Sequence, residues 1–129
     1  KTLSLDANYR YADKLYASLD PSRQTSATNK GTLQLPSYGL VDAGLSYKFL
    51  FGKDKSDAIN FRVNINNVFD YMYIAESRTN ILTKTRTDFA TETLYNNYIN
   101  TQTYDGIDTS NQVFFGFGRT WNFTVTYKF

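Results

Sequence analysis

Charged side chains recur at even-numbered positions in stretches of the chain whose odd-numbered positions are apolar. On one face of a β-sheet, such side chains could line the path of a polar solute. More often, such side chains form a partly paired polar wall that contacts another part of the protein. The charged residues in question are Asp6, Arg10, Asp42, Lys48, Arg62 and Lys128.

The residue types needed for the commonest catalytic and metal sites are missing from this chain. It contains no Cys, which excludes disulfides, thiolate nucleophiles and cysteine metal sites. It contains no His, which excludes Ser-His-Asp catalysis and the common zinc sites. Asp residues paired with one another are a poor basis for general acid–base catalysis. We therefore predict that the protein is not an enzyme, and we expect neither a metal nor a cofactor.

Two features of the long segment before the last strand bear on ligand binding. The stretch from Asp105 to Asn111 (DGIDTSN) weakly resembles a calcium loop, but it lacks the terminal bidentate Glu and the full ligand spacing. We therefore predict a Gly-containing turn there. Three tyrosines could stack on a ligand, or they could pack the segment onto itself: Tyr95, Tyr98 and Tyr104.

Four segments alternate strictly between apolar and polar residues, which is the period of β-strands with one apolar face. Every odd-numbered position is apolar, and no even-numbered position carries a large apolar side chain, within residues 3–11, 41–49, 59–65 and 121–129. A helix is incompatible with this pattern. We predict an all-β fold with strands at about residues 2–12, 38–50, 58–73 and 113–129, in one region covering 1–129 with no separate second domain. Asn67 interrupts the apolar face, and a bulge or a position near the membrane surface would accommodate it.

The last segment indicates a membrane. It runs from Trp121 to Phe129, about the length of a tilted strand that crosses a bilayer, roughly 9–11 residues. The chain carries ten Phe, eleven Tyr and one Trp, and they cluster near strand ends as in the aromatic girdles of outer-membrane barrels. We predict a transmembrane antiparallel β-barrel whose odd-numbered strand residues face outer-membrane lipid. In the last strand these residues are Trp121, Phe123, Val125, Tyr127 and Phe129.

The connections between the segments are unequal in length, as in outer-membrane barrels. A short hydrophilic stretch, 51–57, joins the second and third segments. The first connection, 12–39, includes Asp20-Pro21-Ser22 and Asn29-Lys30-Gly31, and the third, 75–112, is rich in Thr, Asn and Tyr. We expect the long connections outside the cell and the short one in the periplasm. Four strands cannot close a barrel, so we expect a larger barrel or one protomer of an oligomeric one.

A soluble β-sandwich binding module is the alternative, because its strands also alternate. Four strands with such long loops would give it a thin core. The net charge of +2 and the absence of a basic cluster argue against a nucleic-acid partner. The chain begins with Lys1 rather than Met, and we expect a processed chain or a piece of a longer one.

Two stretches carry a family resemblance. Residues 60–73 (NFRVNINNVFDYMY) resemble the v-x-N-L-F-D-x-x-Y segment near the C-terminus of TonB-dependent outer-membrane receptors. Residues 116–121 (GFGRTW), followed by the aromatic terminus, resemble the final strand of the same family. The two stretches occur in the family's order, with a long loop between them.

The resemblance implies a 22-stranded barrel of which these are the last four strands, with a plug domain outside this chain. It implies an outer-membrane receptor that binds a scarce nutrient and imports it into the periplasm, the nutrient being an iron chelate, cobalamin, a glycan or a peptide. A TonB-type energy-coupling protein would bind a region outside this chain, and a surface lipoprotein is a further partner that the resemblance allows. The aromatic strand ending at Phe129 would act as the assembly signal. A porin-like barrel without energy coupling is a second alternative.

Overall fold

The computed structural model describes residues 1–18 and 31–129. Two stretches of the first connection, Asp20-Pro21-Ser22 and Asn29-Lys30, lie outside these residues. The described residues are mostly β-strand, in antiparallel sheets. Their elements, in chain order, are β1 (Thr2–Ala12), β2 (Tyr38–Phe51), β3 (Asp57–Asn66), β4 (Ile74–Ser77), a 3-10 helix (Arg86–Asp88), α1 (Glu92–Gln102), β5 (Thr103–Tyr104), β6 (Ile107–Asp108), β7 (Val113–Phe115) and β8 (Thr120–Lys128).

The sequence predicts one region, and the structure divides the chain into two compact units. The first, called the sheet unit here, consists of Lys1–Tyr11, Gly39–Met72 and Phe117–Phe129. The second, called the core unit, consists of Ala12–Tyr38 and Tyr73–Gly116.

Four strands form the sheet unit, in the order β1-β2-β3-β8. The β2/β3 and β3/β8 pairs are antiparallel, and their register aligns residues of the same parity: Leu45 faces Val63, which faces Phe123. The alternation in the sequence therefore becomes one apolar and one polar sheet face. Strands β1 and β8 are the two edges, and none of the described sheets closes on itself.

Two of the predicted strands are interrupted. The strand predicted over 58–73 ends at Asn66, because Asn67 and Asp70 adopt left-handed backbone conformations with φ of 51° and 54°. The Asp70 N–H donates to the Asn67 carbonyl oxygen at 2.9 Å, which closes a turn. Phe69, Tyr71 and Tyr73 consequently do not extend β3. The strand predicted over 113–129 is divided into β7 and β8 by residues 116–119.

The core unit contains a small buried apolar cluster. Ala17 donates its N–H to the Leu33 carbonyl, which brings two segments of the first connection together. β4 pairs with β7, and β5 pairs with β6 in a two-residue hairpin. The buried cluster consists of Ala17, Leu33, Leu35, Ile74 and Ile107. These segments, which the sequence analysis treats as loops, thus have a hydrophobic core.

Helix α1 is an element that the sequence analysis does not predict. The Thr91 side chain accepts a hydrogen bond from the Leu94 N–H and caps the first turn, and Glu92 lies where the helix dipole favours an acidic side chain. Thr, Asn and Tyr are weak helix formers, so propensity gives little signal here. Among the described residues, no helix has the length and hydropathy needed to cross a bilayer.

Candidate functional site on the two faces of the sheet

The odd-numbered face of the sheet unit is apolar in four aligned rows of β2, β3 and β8, and Asp57, opposite Phe51 at the Gly52 turn, is the exception. Tyr47, Phe61 and Val125 form one such row across β2, β3 and β8. The Phe61 and Phe123 rings stack with centroids 6.3 Å apart. Many of these side chains are exposed, with Leu5 78% and Leu3 68% accessible. Contiguous exposed apolar surface of this kind marks a contact with another protein surface or with a membrane.

The five residues predicted for the last strand share this face. Their exposed fractions are 73% for Trp121, 54% for Phe123, 53% for Val125, 53% for Tyr127 and 91% for Phe129. Tyr127 lies between Phe51 and Phe129, with ring centroids 6.0 Å and 5.8 Å away. The structure therefore brings the aromatic residues of β8 and of the end of β2 into one cluster.

The even-numbered face is polar apart from a few apolar positions such as Leu50 and Ala58, and part of it is internally paired. Arg10 donates to both carboxylate oxygens of Asp42, at 2.7 and 3.1 Å. Arg62 donates to the Asp6 carboxylate at 3.2 Å and to the Asn64 side-chain oxygen at 2.9 Å. This part of the face matches the predicted alternative of a paired polar wall.

Asn67 is a buried polar residue that organises the turn after β3. Its side-chain amide donates to the Tyr71 carbonyl and accepts from the Tyr71 N–H, both at 2.9 Å. Its backbone N–H donates to Asp42 at 3.0 Å, so the Asp42 carboxylate serves both this turn and Arg10. Only 3% of Asn67 is exposed. Asn is among the few residues that adopt the left-handed conformation readily, which explains its presence on an otherwise apolar face.

The two motif stretches contact each other through Asp70 and the segment before β8. The Asp70 carboxylate accepts the Arg119 backbone N–H at 2.8 Å, and Asn67 donates to the Phe117 carbonyl at 3.4 Å. A Cβ on Gly118 would lie 2.9 Å from an Asp70 carboxylate oxygen. The absence of a side chain at Gly118 therefore permits the approach of Asp70. The sequence identifies Asn67 as an exception on the apolar face, but it does not predict these contacts. No local pattern indicates a pairing across fifty residues.

In the core unit, Gly116 permits a close approach in the same way as Gly118, because it carries no side chain. Its N–H donates to the Tyr73 carbonyl at 2.9 Å, and a Cβ at this position would overlap the Tyr73 ring. The Tyr73 ring packs against Tyr38 with centroids 4.2 Å apart. The glycine thus allows the backbone to pass directly against an aromatic ring.

The three loop tyrosines pack on residues of the core unit. Phe89 contacts Tyr95 and Tyr98, with centroids 5.9 and 5.2 Å away. The Tyr104 ring meets Phe115 edge to face at 5.8 Å. Tyr98 is 3% exposed, which places it in the core, whereas Tyr104 is 48% exposed and borders a cleft of about 160 Å³.

A short hydrogen bond joins Tyr98 to Asp108 inside the core unit. The Tyr98 hydroxyl donates to the Asp108 carboxylate at 2.5 Å and accepts the Lys84 N–H at 3.2 Å. Burial and the bond to Asp108 raise the pKa of Tyr98. Burial also acts to raise the pKa of Asp108, but hydrogen bonds from Tyr98 and Ser110 outweigh it and hold that pKa below its usual value.

The calcium-like stretch forms a hairpin turn. Asp105 and Gly106 have φ of 50° and 81°, as in the type I′ turns that join two strands. The Asp108 carboxylate accepts the Ser110 N–H, and the Asn111 side chain bonds the backbone of Ile81 at both of its polar atoms. The side-chain oxygens of Asp108 and Asn111 are thus used within the fold. Across residues 1–18 and 31–129, no group of three or more acidic side chains is arranged to hold a metal ion.

Comparison of the chain with protein-family models, with curated proteins and with solved structures finds no match.

Proposed function

We propose that this chain forms the last four strands of a transmembrane antiparallel β-barrel in an outer-membrane receptor of the TonB-dependent type. In this proposal the receptor binds a scarce nutrient and imports it into the periplasm. The apolar face of the sheet unit, including Trp121, Phe123, Val125, Tyr127 and Phe129, contacts lipid, and the polar face lines the lumen.

The observation that carries the proposal is the exposed apolar sheet face opposite a face that holds ion pairs. Leaving apolar surface in water costs about 25 cal/mol per Å², so a face of this kind requires a non-aqueous neighbour. A lipid-facing Arg at the bilayer midplane would cost about 2–4 kcal/mol. Arg10 and Arg62 avoid that cost, because both lie on the opposite face and are paired with carboxylates.

The two unpaired edges of the sheet are evidence that the sheet belongs to a larger assembly. Unpaired backbone groups along β1 and β8 would each cost several kcal/mol in hydrocarbon. Strands outside this chain must pair with both edges if the sheet lies in a bilayer. The barrel of the proposed family supplies such strands.

The import function depends on the resemblance of residues 60–73 and 116–121 to the receptor family. The contacts of Asn67 and Asp70 with Phe117 and Arg119 support treating the two stretches as one structural element. Energy coupling would require a TonB-type protein and a region outside this chain. A surface lipoprotein remains a partner to be tested by co-purification.

Cysteine labelling tests the lipid assignment, and the chain itself contributes no background cysteine. Single substitutions Leu5→Cys, Leu45→Cys, Val63→Cys and Val125→Cys should react with a membrane-restricted reagent in isolated outer membranes. The matched substitutions Asn8→Cys, Ser46→Cys, Asn64→Cys and Thr124→Cys should not react. The opposite labelling pattern would refute the assignment of the faces.

A soluble β-sandwich module would cover the same apolar face with a second sheet. Extraction distinguishes the two cases: the proposed receptor stays in the membrane fraction until detergent is added, whereas the sandwich is recovered in buffer. Import is tested separately, by measuring nutrient uptake in cells with and without the energy-coupling protein. Uptake that is independent of that protein would favour the porin-like barrel.

A further inference from the structure

The cations and the carboxylates on the polar face of the sheet unit are distributed unequally. Asp6 and Asp42 are each paired with an arginine, so the charges on that part of the face are balanced. Lys48 and Lys128 lie toward the other end, near the Gly52 turn that joins β2 and β3. The excess positive charge of the face is therefore concentrated at one end.

Neither lysine is neutralised within the described part of the chain, where no carboxylate lies within ion-pair distance of Lys48 or Lys128. A groove of about 460 Å³ runs over this end of the face, and both lysines border it. Its lining includes no acidic residue, and it offers the polar side chains of Ser46, Asn60 and Thr126. We call it the lysine groove.

We propose that the lysine groove binds oxyanions, namely the carboxylate or phosphate groups of a small solute. Lys48 and Lys128 lie on strands separated by one strand and are offset by two residues in register, so their Cα atoms are about 12 Å apart. An elongated anion with more than one acidic group can reach both ammonium groups. The hydroxyl and amide donors between the lysines supply hydrogen bonds to the same oxygens.

This inference goes beyond the proposed function and does not depend on import or on the membrane. The polar face would be open to a solute in a barrel lumen, and it would be open on the outer surface of a sandwich as well. A failure of anion binding would leave the lipid assignment untouched, and cysteine labelling would still test that assignment.

The test uses tripolyphosphate as the probe and the full-length protein in detergent micelles. Calorimetric titration at constant ionic strength gives the Kd for the unmodified protein and for the Lys48→Gln/Lys128→Gln double variant. We expect saturable binding by the unmodified protein and a Kd at least tenfold higher for the double variant. Lys48→Arg/Lys128→Arg should bind nearly as well as the unmodified protein, because the charge is kept.

The matched control is Lys53→Gln/Lys55→Gln, which removes the same charge from the adjoining turn outside the groove. This variant should bind tripolyphosphate with an unchanged Kd. Equal weakening in both double variants would show attraction to overall charge rather than a site, and would overturn the proposal. No saturable binding by the unmodified protein would overturn it too, as expected if another segment of the protein occupies the groove.

Discussion

The sheet unit and the core unit differ in where they keep their apolar side chains. Of the buried hydrophobic residues that the structure describes, only Leu40 and Ala58 belong to the sheet unit, and the other six belong to the core unit. The core unit also buries polar groups with partners, such as Ser77, whose hydroxyl donates to the Thr79 carbonyl at 2.7 Å. The sheet unit instead presents Leu5 and Trp121 to the outside.

The two units therefore have different sources of stability. The core unit buries an apolar cluster of its own, as a protein in water does. The sheet unit forms hydrogen bonds between its strands and ion pairs on its polar face, and its exposed apolar face needs a neighbour. Substitutions of the same kind should therefore have different effects in the two units.

The largest contrast is expected between two Leu→Ala substitutions. Leu35→Ala removes a side chain that is 2% exposed from the buried cluster, and should destabilise the core unit by about 2–5 kcal/mol. Leu5→Ala, at a position 78% exposed, should leave the core unit unchanged. Hydrogen exchange of the Ala17 N–H, which donates to Leu33, measures the effect. Equal protection in both variants would contradict the description of the core unit as an internally packed body.

The second contrast lies within the sheet unit, between neighbouring asparagines. Asn67→Ala should cost about 3 kcal/mol, because it removes two buried hydrogen bonds to Tyr71 and places Ala in a left-handed conformation. Asn66→Ala removes only an exposed bond to Thr120 and should cost under about 0.5 kcal/mol. Unfolding in detergent micelles gives both values. Similar values for the two variants would show that the Asn67 turn does not stabilise the sheet unit.

The third prediction concerns the Tyr98–Asp108 pair of the core unit. Tyr98→Phe should lower the free energy of unfolding by about 2 kcal/mol at pH 7, because Asp108 loses a buried donor. Tyr95→Phe is the control, since Tyr95 packs on Phe89 but its hydroxyl has no hydrogen-bond partner among residues 1–18 and 31–129. Chemical denaturation of each variant provides the comparison.

The pair should also make stability depend on pH at both ends of the range. The folded-state pKa of Asp108 is lowered, so its contribution is present above the ordinary value of 3.8 and is lost as pH falls through the lowered pKa. The folded-state pKa of Tyr98 is raised, so its contribution is present below 10.0 and is lost as pH rises through the raised pKa. Tyr98→Phe should flatten the alkaline loss. An unchanged alkaline loss in this variant would show that another group causes it.

Within the proposed barrel, deleting Phe129 should change the stability of the mature protein only modestly. Burial of this side chain in lipid would be worth at most about 1.5–3 kcal/mol, which is small against a whole barrel. Assembly should suffer more, because the resemblance assigns the recognition signal to the terminal aromatic strand. We expect lower outer-membrane levels with normal transport per inserted molecule, and Phe129→Tyr should restore the levels. Normal insertion with lost transport would give Phe129 a different role.

The alternation of apolar and polar residues predicts which residues share a sheet face. Alternation with a period of two depends only on backbone geometry, so it predicts β1 and β2 and the apolar face that includes Trp121 and Phe123. The absence of Cys and His equally restricts chemistry without reference to a fold.

The end of β3 and the structure of the long connections depend on tertiary contacts. In the sequence, Asn67 is a single exception in an alternating pattern. Its turn is held by hydrogen bonds to Tyr71, Phe117 and Asp42. The local period of the sequence does not predict that these residues meet. The sequence does not predict the core unit for the same reason. Leu33 and Ile107 form a core only when segments more than seventy residues apart meet. Local sequence encodes backbone period, whereas burial depends on contacts between distant segments, and no local pattern reports those contacts.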